Sequence, residues 1–424
     1  MKAAGIIAEY NPFHSGHLYQ IEQVRALTGA DFVIIAMSGD FVQRGEPAVY
    51  DKYTRTAMAL NCGADLVLEL PVCFATGSAE DFAASGVSLL DKLGTVDLLC
   101  FGSESGDLVP LKAAADVLCR EPEAYRASLK ELLRQGCSYP AARSDALCRY
   151  LKDSSDYRPV LSSPNNILAV EYLKALQRQE SPIEPFTIRR TGQDYREEAF
   201  PSDSGVFASA TALRRLIWEQ RRDGAASIRT TGFLRGQIPP AAIQALTSEQ
   251  AQFSPIFPDD LSEMLQYRLL DLLKQKADLS GYADMSPELA SRLERLALNL
   301  DSFTGRIEQL KTRQYTYTRI SRALLHLILG ITSAQMQARR EIGYTPYARV
   351  LGFQKRAVPL LTEIKKSSSI PLVTKTADAA DLLPSAPLDM LREDMFASHL
   401  YQSLVFQKGR RMKNEYTKSV LVLP

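Results

Sequence analysis

Cysteine is scarce in this chain and badly spaced for metal. The six thiols, Cys62, Cys73, Cys100, Cys119, Cys137 and Cys148, stand 11 to 27 residues apart with no C-x-x-C pair, which argues against structural zinc. They sit mostly in apolar segments, as buried reduced thiols of a cytosolic protein do. Long apolar runs are missing too. Stretches such as residues 32–37 fall far short of the roughly 18 residues that span a bilayer, and the N-terminal apolar stretch stops at Glu9, too early for a secretory signal. Neither membrane association nor export is expected. Internal repeats and low-complexity blocks are absent, and 50 Lys and Arg against 49 Asp and Glu leave a net charge of only +1.

What is present is ordinary globular composition at a length beyond one core. Of 424 residues, 46% are hydrophobic and 23% charged, so two or three domains are expected. The near-zero charge hides an asymmetry. Residues 301–424 hold 19 basic against 10 acidic side chains, while residues 1–300 hold 31 against 39. Between Arg306 and Lys375 the count is 13 to 3, interleaved with Tyr315, Tyr317, Tyr344, Tyr347 and Phe353, a composition suited to RNA.

The first half alternates short apolar runs with amphipathic segments. Residues 3–8, 32–37, 66–70 and 96–101 read as buried strands, and 16–28, 52–62 and 79–93 as helices between them, the order that builds a doubly wound parallel α/β sheet. Residues 112–118, 125–134 and 145–151 follow as helices, 185–189 as a fifth strand and 210–218 as a closing helix. The expected organisation is a domain over residues 1–220, a linker over 221–238, and a mainly α-helical, basic RNA-binding region over 239–424. Helices there are predicted at 261–274, 287–300, 306–310, 318–329 and 387–406, with a short strand at 370–373.

The strongest local signal is Gly5-Ile6-Ile7-Ala8-Glu9-Tyr10-Asn11-Pro12-Phe13-His14-Ser15-Gly16-His17, a strand, a polar turn and a helix start. With 4 His and 23 Gly in the chain, H-x-G-H is expected by chance on the order of 0.002 times, so it carries information. In an open α/β sheet the ligand crevice lies beyond the strands' carboxyl ends, and a helix start offers unpaired N–H groups and a positive dipole end. Phosphate is the natural ligand. Gly16 lets a phosphate chain approach the backbone, and His14 and His17, three apart, share one face of the first turn. Both imidazoles can donate to phosphate oxygens as pyrophosphate leaves, which lowers the barrier to attack on an α-phosphorus.

This tetrad in this setting resembles the H-x-G-H nucleotidyltransferase superfamily, related in fold to class I aminoacyl-tRNA synthetases. The opening A-x-Y-N-P-F-H-x-G-H, then Met37-Ser38-Gly39-Asp40-Phe41-Val42-Gln43-Arg44-Gly45-Glu46-Pro47-Ala48, are similar to the bacterial tRNA(Met) cytidine acetate ligase family. So are Gly63-Ala64-Asp65-Leu66-Val67-Leu68-Glu69-Leu70-Pro71, Phe101-Gly102-Ser103-Glu104, Ser163-Pro164-Asn165-Asn166-Ile167-Leu168-Ala169 and Tyr317-Thr318-Arg319-Ile320-Ser321-Arg322. The resemblance implies a Rossmann-like nucleotidyltransferase sheet and an ATP-dependent acetate:tRNA ligase. Such an enzyme converts ATP and acetate to acetyladenylate and pyrophosphate, then acetylates N4 of the wobble cytidine of elongator tRNA(Met) to N4-acetylcytidine. Adenylation supplies the leaving group that acetate lacks.

Carried over by matching segments, the ATP site comprises Ile7, Ala8, Glu9, Tyr10, Asn11, Pro12, Phe13, His14, Ser15, Gly16, His17, Leu18, Tyr19 and Gln20, with Gly102, an Asn of the pair Asn165 and Asn166, and Arg189 with Arg190. Gly102 would let adenine or ribose approach the sheet. One Asn could cap the coming helix while the other binds ribose or phosphate. Strand alternation lets only one of Arg189 and Arg190 face the crevice. Arg44 could reach phosphate or the acetate carboxylate through its fork. No K-M-S-K loop is present. Ser209-Ala210-Thr211 with Arg214 resembles the I-S-S-T-x-x-R segment of small nucleotidyltransferases, with Ala for the second Ser, so Ser209 and Thr211 are either phosphate contacts or a helix cap and its first turn. Magnesium is the expected phosphate counter-ion, with no carboxylate nominated to hold it and no other metal site.

In the basic region, Tyr317, Arg319, Arg322, Arg339, Arg340, Lys355 and Arg356 are the candidate tRNA contacts, phosphate-binding cations beside an aromatic that can stack on an unpaired base. The expected partners are tRNA and acetate, not DNA. A rival reading is a nucleotidyltransferase that adenylates a small phosphorylated cofactor precursor, for which the basic region would be superfluous.

Overall fold

The computed structural model describes residues 1–151, 157–190, 207–222, 234, 236–247, 255–312 and 314–424. Its main strands are β1 (Ala3–Ala8), β2 (Phe32–Ser38), β5 (Leu66–Leu70), β6 (Leu98–Ser103) and β7 (Glu184–Arg189), with β3 (Phe41–Val42) and β4 (Glu46–Pro47) forming a small antiparallel pair. Beyond these come β8 (Ala348–Gln354), β9 (Leu372–Val373) and β10 (Leu421–Leu423). The sheet order is β10-β8-β5-β2-β1-β6-β7, with β9 also pairing β8. β1 pairs parallel with β2 from Ala3 opposite Phe32 to Ala8 opposite Met37, and parallel with β6 on its other side.

Strand order therefore runs outward from β1 through β2 to β5, then jumps back to β6 and β7. The carboxyl ends of β1 and β6 form the switch point where doubly wound sheets hold ligands. Period-two alternation clothes both faces. Ala3 and Ile7 join a core with the helices Ala79–Lys92, Leu108–Arg120 and Pro164–Arg178. Ala4 and Ile6 join another with Ser15–Thr28, Lys52–Asn61 and Ala210–Arg222.

Residues 255–407 are mainly helical, as the sequence pattern predicts, and their core takes in Phe41 and Val72 to Phe74 from the front of the chain. Two strands in the last third of the chain were not expected. β8 pairs antiparallel with β5, and β10 pairs parallel with β8, so the last third of the chain extends the N-terminal sheet. A buried ionic cluster stitches them. Lys52 Nζ lies 2.9 Å from Glu69 Oε1 and 2.8 Å from Glu415 Oε1, and Arg349 on β8 lies 2.6 Å from Glu69 Oε2 and pairs with Glu415. The expected linker lies largely outside the described residues. Its described end packs inward, with Leu234 and Ile238 buried.

Candidate functional site

The loop after β1 is held by backbone hydrogen bonds that local sequence does not advertise. Arg55, fully buried on the helix Lys52–Asn61, donates to the carbonyls of Glu9 at 2.6 Å, Ser38 at 3.1 Å and Tyr50 at 2.9 Å, and to Gly39. It ties the end of β1 to the end of β2. Asn11 is fixed from both sides: its Oδ1 accepts from Val49 N–H at 2.8 Å and its carbonyl from Arg214 Nη1 at 2.9 Å. Tyr10 takes the left-handed φ of 50° and packs its ring 4.7 Å from His17 and 4.8 Å from Phe13. A non-glycine residue held there costs about 1–3 kcal/mol, which these contacts offset.

The two histidines cap the helix Ser15–Thr28 reciprocally. Gly16 N–H donates to His14 Nδ1 at 3.1 Å, and His14 N–H donates to His17 Nδ1 at 3.2 Å. The rings stack with centroids 3.8 Å apart. A Cβ on Gly16 would meet His14 Cε1 at 2.9 Å, so glycine is needed for the ring to fold over the helix start. Burial first, then the Arg190 and Arg214 charges, pulls the His14 imidazole down to about 3. Burial, then His14 and Arg190, holds His17 well below its ordinary value. With each Nδ1 accepting, each neutral ring carries its proton on Nε2 and serves as an uncharged donor.

The expectation of unpaired N–H groups at this helix start is not met. Ser15 N–H donates to Gln237 O at 2.9 Å, Gly16 to the His14 ring, and His17 and Leu18 to His14 O. The anion donors here are imidazole and guanidinium groups.

One pocket at the β1/β6 switch point collects Ile7, Ala8, Glu9, Tyr10, Asn11, His14, Gly16, His17, Tyr19 and Gln20 with Gly102, Asn165, Arg189 and Arg190. Pro12, Phe13, Ser15, Leu18 and Asn166 are not among its lining residues; Pro12 and Phe13 are buried, and Ser15 Oγ donates to Gln237 O. Both arginines border the pocket, against the alternation argument, because β7 ends at Arg189 and Arg190 lies past it, its N–H donating to Ser103 O at 2.9 Å. A Cβ on Gly102 would sit 3.1 Å from Arg190 Cγ. Neither asparagine caps the helix Pro164–Arg178; Ser163 Oγ does, accepting from Asn166 N–H at 3.3 Å. Asn166 is buried with Oδ1 accepting from Glu104 N–H at 3.2 Å, while Asn165 faces the pocket and donates to Glu104 Oε1 at 2.9 Å.

The pocket also gathers Arg214, singled out above in the segment that resembles I-S-S-T-x-x-R, and Gln43, Phe82, Phe101, Leu168, Tyr172 and Phe207, which sequence reasoning did not assign to it. One signal was available: Asn165, Leu168 and Tyr172 fall at i, i+3 and i+7 of one helix, hence on one face. Among the described lining residues Glu9 is the single carboxylate, accepting from Gln43 N–H at 2.8 Å. No group of three His, Cys, Asp or Glu among the described residues is placed to hold a metal ion, so a counter-ion here would be held chiefly by phosphate oxygens and water.

Of the two expected roles for Ser209 and Thr211, the structure shows the helix cap. Ser209 is buried, its Oγ accepting from Ala212 N–H at 3.0 Å as a cap, while Thr211 Oγ1 accepts from Arg214 Nη2 at 3.1 Å. Thr211 lines a neighbouring cleft with Arg44, Glu46, Arg214, Trp218, Phe257 and Tyr317. Arg44 is thus outside the histidine pocket, and Tyr317 beside it rather than on a remote surface.

The other basic candidates are mostly engaged. Arg322 grips Asp284 through Nε at 2.9 Å and Nη2 at 3.0 Å, Arg340 grips Asp81 at 2.7 and 3.0 Å, Arg339 pairs with Glu393, and Arg356 lies 2.5 Å from Asp65. Arg319 covers the Tyr315 ring at 5.2 Å, and Lys355 is exposed. No helix among the described residues is long and apolar enough to cross a membrane.

Known proteins are similar to this chain in sequence and fold. The HIGH Nucleotidyl Transferase family profile matches residues 1–417; the tetrad here reads His-Ser-Gly-His. The chain is 39% identical over 432 residues, all of both chains, to the tRNA(Met) cytidine acetate ligase of Acetivibrio thermocellus. It is 39% identical over 402 residues, 95% of each chain, to the protein of that name from a Thermoanaerobacter species. Apo Thermotoga maritima TmcAL superposes with a TM-score of 0.89 at 31% identity, and its form bound with alpha-thio ATP with 0.87, each over all of both chains.

Proposed function

Because this chain belongs to the tRNA(Met) cytidine acetate ligase family of HIGH nucleotidyl transferases, we propose that it activates acetate with ATP and acetylates N4 of the wobble cytidine of elongator tRNA(Met). The observation that carries the reading is the pocket at the β1/β6 switch point, where two neutral imidazole donors and three arginines meet at a helix start.

ATP lies along the carboxyl ends of β1 and β6, its triphosphate toward His14, His17, Arg190 and Arg214 and its nucleoside toward Gly102, Asn165 and Tyr172. Acetate oxygen attacks the α-phosphorus, the P–O bond to pyrophosphate breaks, and acetyladenylate remains. Neutral imidazoles suit this step. Their Nε2–H groups stabilise charge building on the leaving phosphates at fixed positions, and the arginines neutralise it. Magnesium would be held chiefly by phosphate oxygens and water, and would offset their charge. The amine of cytidine then displaces AMP. In this reading residues 1–220 carry adenylation, residues 239–424 position the tRNA, and the enzyme works in the cytoplasm, where its tRNA substrate is.

The test is incubation with ATP, labelled acetate and total bacterial tRNA without acetyl-CoA, read by nucleoside mass spectrometry. N4-acetylcytidine that requires both ATP and acetate is the expected product. No product with retained ATP binding would favour the small-substrate nucleotidyltransferase instead. Acetate-dependent ATP–pyrophosphate exchange should fall on the order of 10²–10³-fold in His14→Ala and His17→Ala; unchanged exchange in both would remove the assigned mechanism.

A further inference from the structure

The second cleft shares a wall with the histidine pocket. Arg214 borders both spaces, and Asn11, which lines the first, is bonded to Val49, which lines the second. This cleft holds an unusual mixture: the carboxyl of Glu46, the cations Arg44, Arg214 and Arg215, the last paired with Glu219, and the aromatic rings of Tyr317, Trp218 and Phe257. Trp218 packs edge-on to Phe257 at 4.9 Å and remains 37% exposed.

The cleft is built to keep its shape. Gly45, at φ 78°, sits so close to the second turn of the helix Tyr317–Leu329 that a Cβ would lie 2.4 Å from Arg322 N. Ser321 Oγ donates to Gly45 O at 2.9 Å. The β3–β4 turn that carries Glu46 is therefore latched to the helix that carries Tyr317.

The histidine pocket already has the imidazole donors that suit a triphosphate, whereas this cleft sets a carboxylate among aromatic rings. Cytosine suits this cleft: its exocyclic amine needs an acceptor, its O2 and N3 need donors, and its flat faces need an aromatic surface. We propose that this cleft receives the target cytosine and that Glu46 is the catalytic residue that accepts the N4 proton during acetyl transfer. This rests on the function proposed above. The N4 lone pair attacks the carbonyl carbon of acetyladenylate, the C–N bond forms, the bond from that carbon to the phosphate oxygen breaks, AMP leaves with the electron pair, and one amine proton passes to the Glu46 carboxylate. Burial raises the Glu46 carboxyl above its usual range, with Arg214 and Arg44 opposing and Glu9 adding to the rise, and Tyr317 faces it from the helical region. A base with a raised value accepts a proton more readily.

The experiment separates the two half-reactions in the full-length enzyme. Glu46→Gln should leave acetate-dependent ATP–pyrophosphate exchange within about twofold and cut N4-acetylcytidine formation on the order of 10²-fold or more. In single turnover from acetyladenylate, the wild-type transfer rate should fall as pH drops through the Glu46 ionisation, and that limb should vanish in Glu46→Gln and persist in Glu46→Asp. Trp218→Ala should raise the KM for tRNA about tenfold with exchange unchanged. Wild-type acetylation by Glu46→Gln, or parallel loss of exchange and acetylation, would overturn the assignment. A wild-type enzyme without acetate-dependent exchange would instead overturn the parent reading, and this one with it.

Discussion

The arginines of the histidine pocket and those of the helical region differ in what faces them. Arg189, Arg190 and Arg214 border a space whose described lining contains one carboxylate, Glu9. Arg322, Arg339, Arg340 and Arg356 each face a carboxylate of their own: Asp284, Glu393, Asp81 and Asp65. Arginines that line a pocket are placed to meet an anionic ligand, and Arg214 does so while also bonding Asn11 O and Thr211 Oγ1 and lying near Glu46. Charge already paired instead holds the fold together, and all four acidic partners lie outside the window of residues 306–375 whose excess of cations suggested RNA.

If this contrast is correct, removing pocket cations should cost catalysis and removing paired ones should cost stability. The largest effect is expected for Arg214→Ala and Arg190→Ala, on the order of 10²-fold in acetate-dependent exchange, with melting temperature within a few degrees for Arg190→Ala. Arg214 also bonds Asn11 O, so its variant should lose some stability as well. Exchange at wild-type rate in both would break the comparison at its stronger end.

Next comes Arg322→Ala. Its bidentate pair is mostly buried, with side-chain exposures of 11% and 19%, and deletion leaves Asp284 without its fork. A loss of about 3 kcal/mol in urea unfolding is expected, with exchange per folded enzyme unchanged. The more exposed pair of Arg340 with Asp81 should be worth at most about 1 kcal/mol.

The pocket should also announce itself through pH. An unfolded imidazole takes up its proton near 6.5, whereas the folded chain refuses one at His14 until about 3. The unfolded state therefore binds more protons in between, so this contribution is complete above about pH 6.5 and is lost as pH falls toward 3. At pH 5.5 the loss is about 1 kcal/mol per imidazole. Comparing urea midpoints at pH 7.5 and 5.5, wild type should weaken more than the double variant His14→Asn with His17→Asn. Buried His326, also shifted down by burial, is common to both proteins and cancels.

How much of this the sequence disclosed follows the range of the interactions. The β1 strand, its turn and the helix beginning at Ser15 are consecutive, so their pattern is legible, and His14, Gly16 and His17 fall where the spacing predicts. Asn165 could not be separated from Asn166, because what divides them is the position of Glu104, 61 and 62 residues away. β8 escaped notice since Arg349 and Gly352 interrupt its apolar run, and the partners that neutralise Arg349, Glu69 and Glu415, lie on other segments. The engagement of the cationic candidates is the same blindness in another form: a count along the chain cannot see a partner 259 residues distant, as Asp81 is from Arg340.

The smallest effect offers the finest test, because it compares neighbours in sequence. Lys355 and Arg356 open one turn before the helix Val358–Ser367 and both are exposed. Arg356 reaches back to buried Asp65, which also accepts from Val33 N–H at 2.7 Å and pairs with Arg25. Lys355→Ala should leave unfolding within about 0.5 kcal/mol and lower the salt slope of tRNA binding by somewhat less than one unit. Arg356→Ala should do the reverse, losing up to about 1 kcal/mol of stability with the slope unchanged. Equal slope changes in the two variants would mean that pairing to a carboxylate does not withdraw an arginine from RNA, and the basic region would then have to be mapped by position rather than by partner.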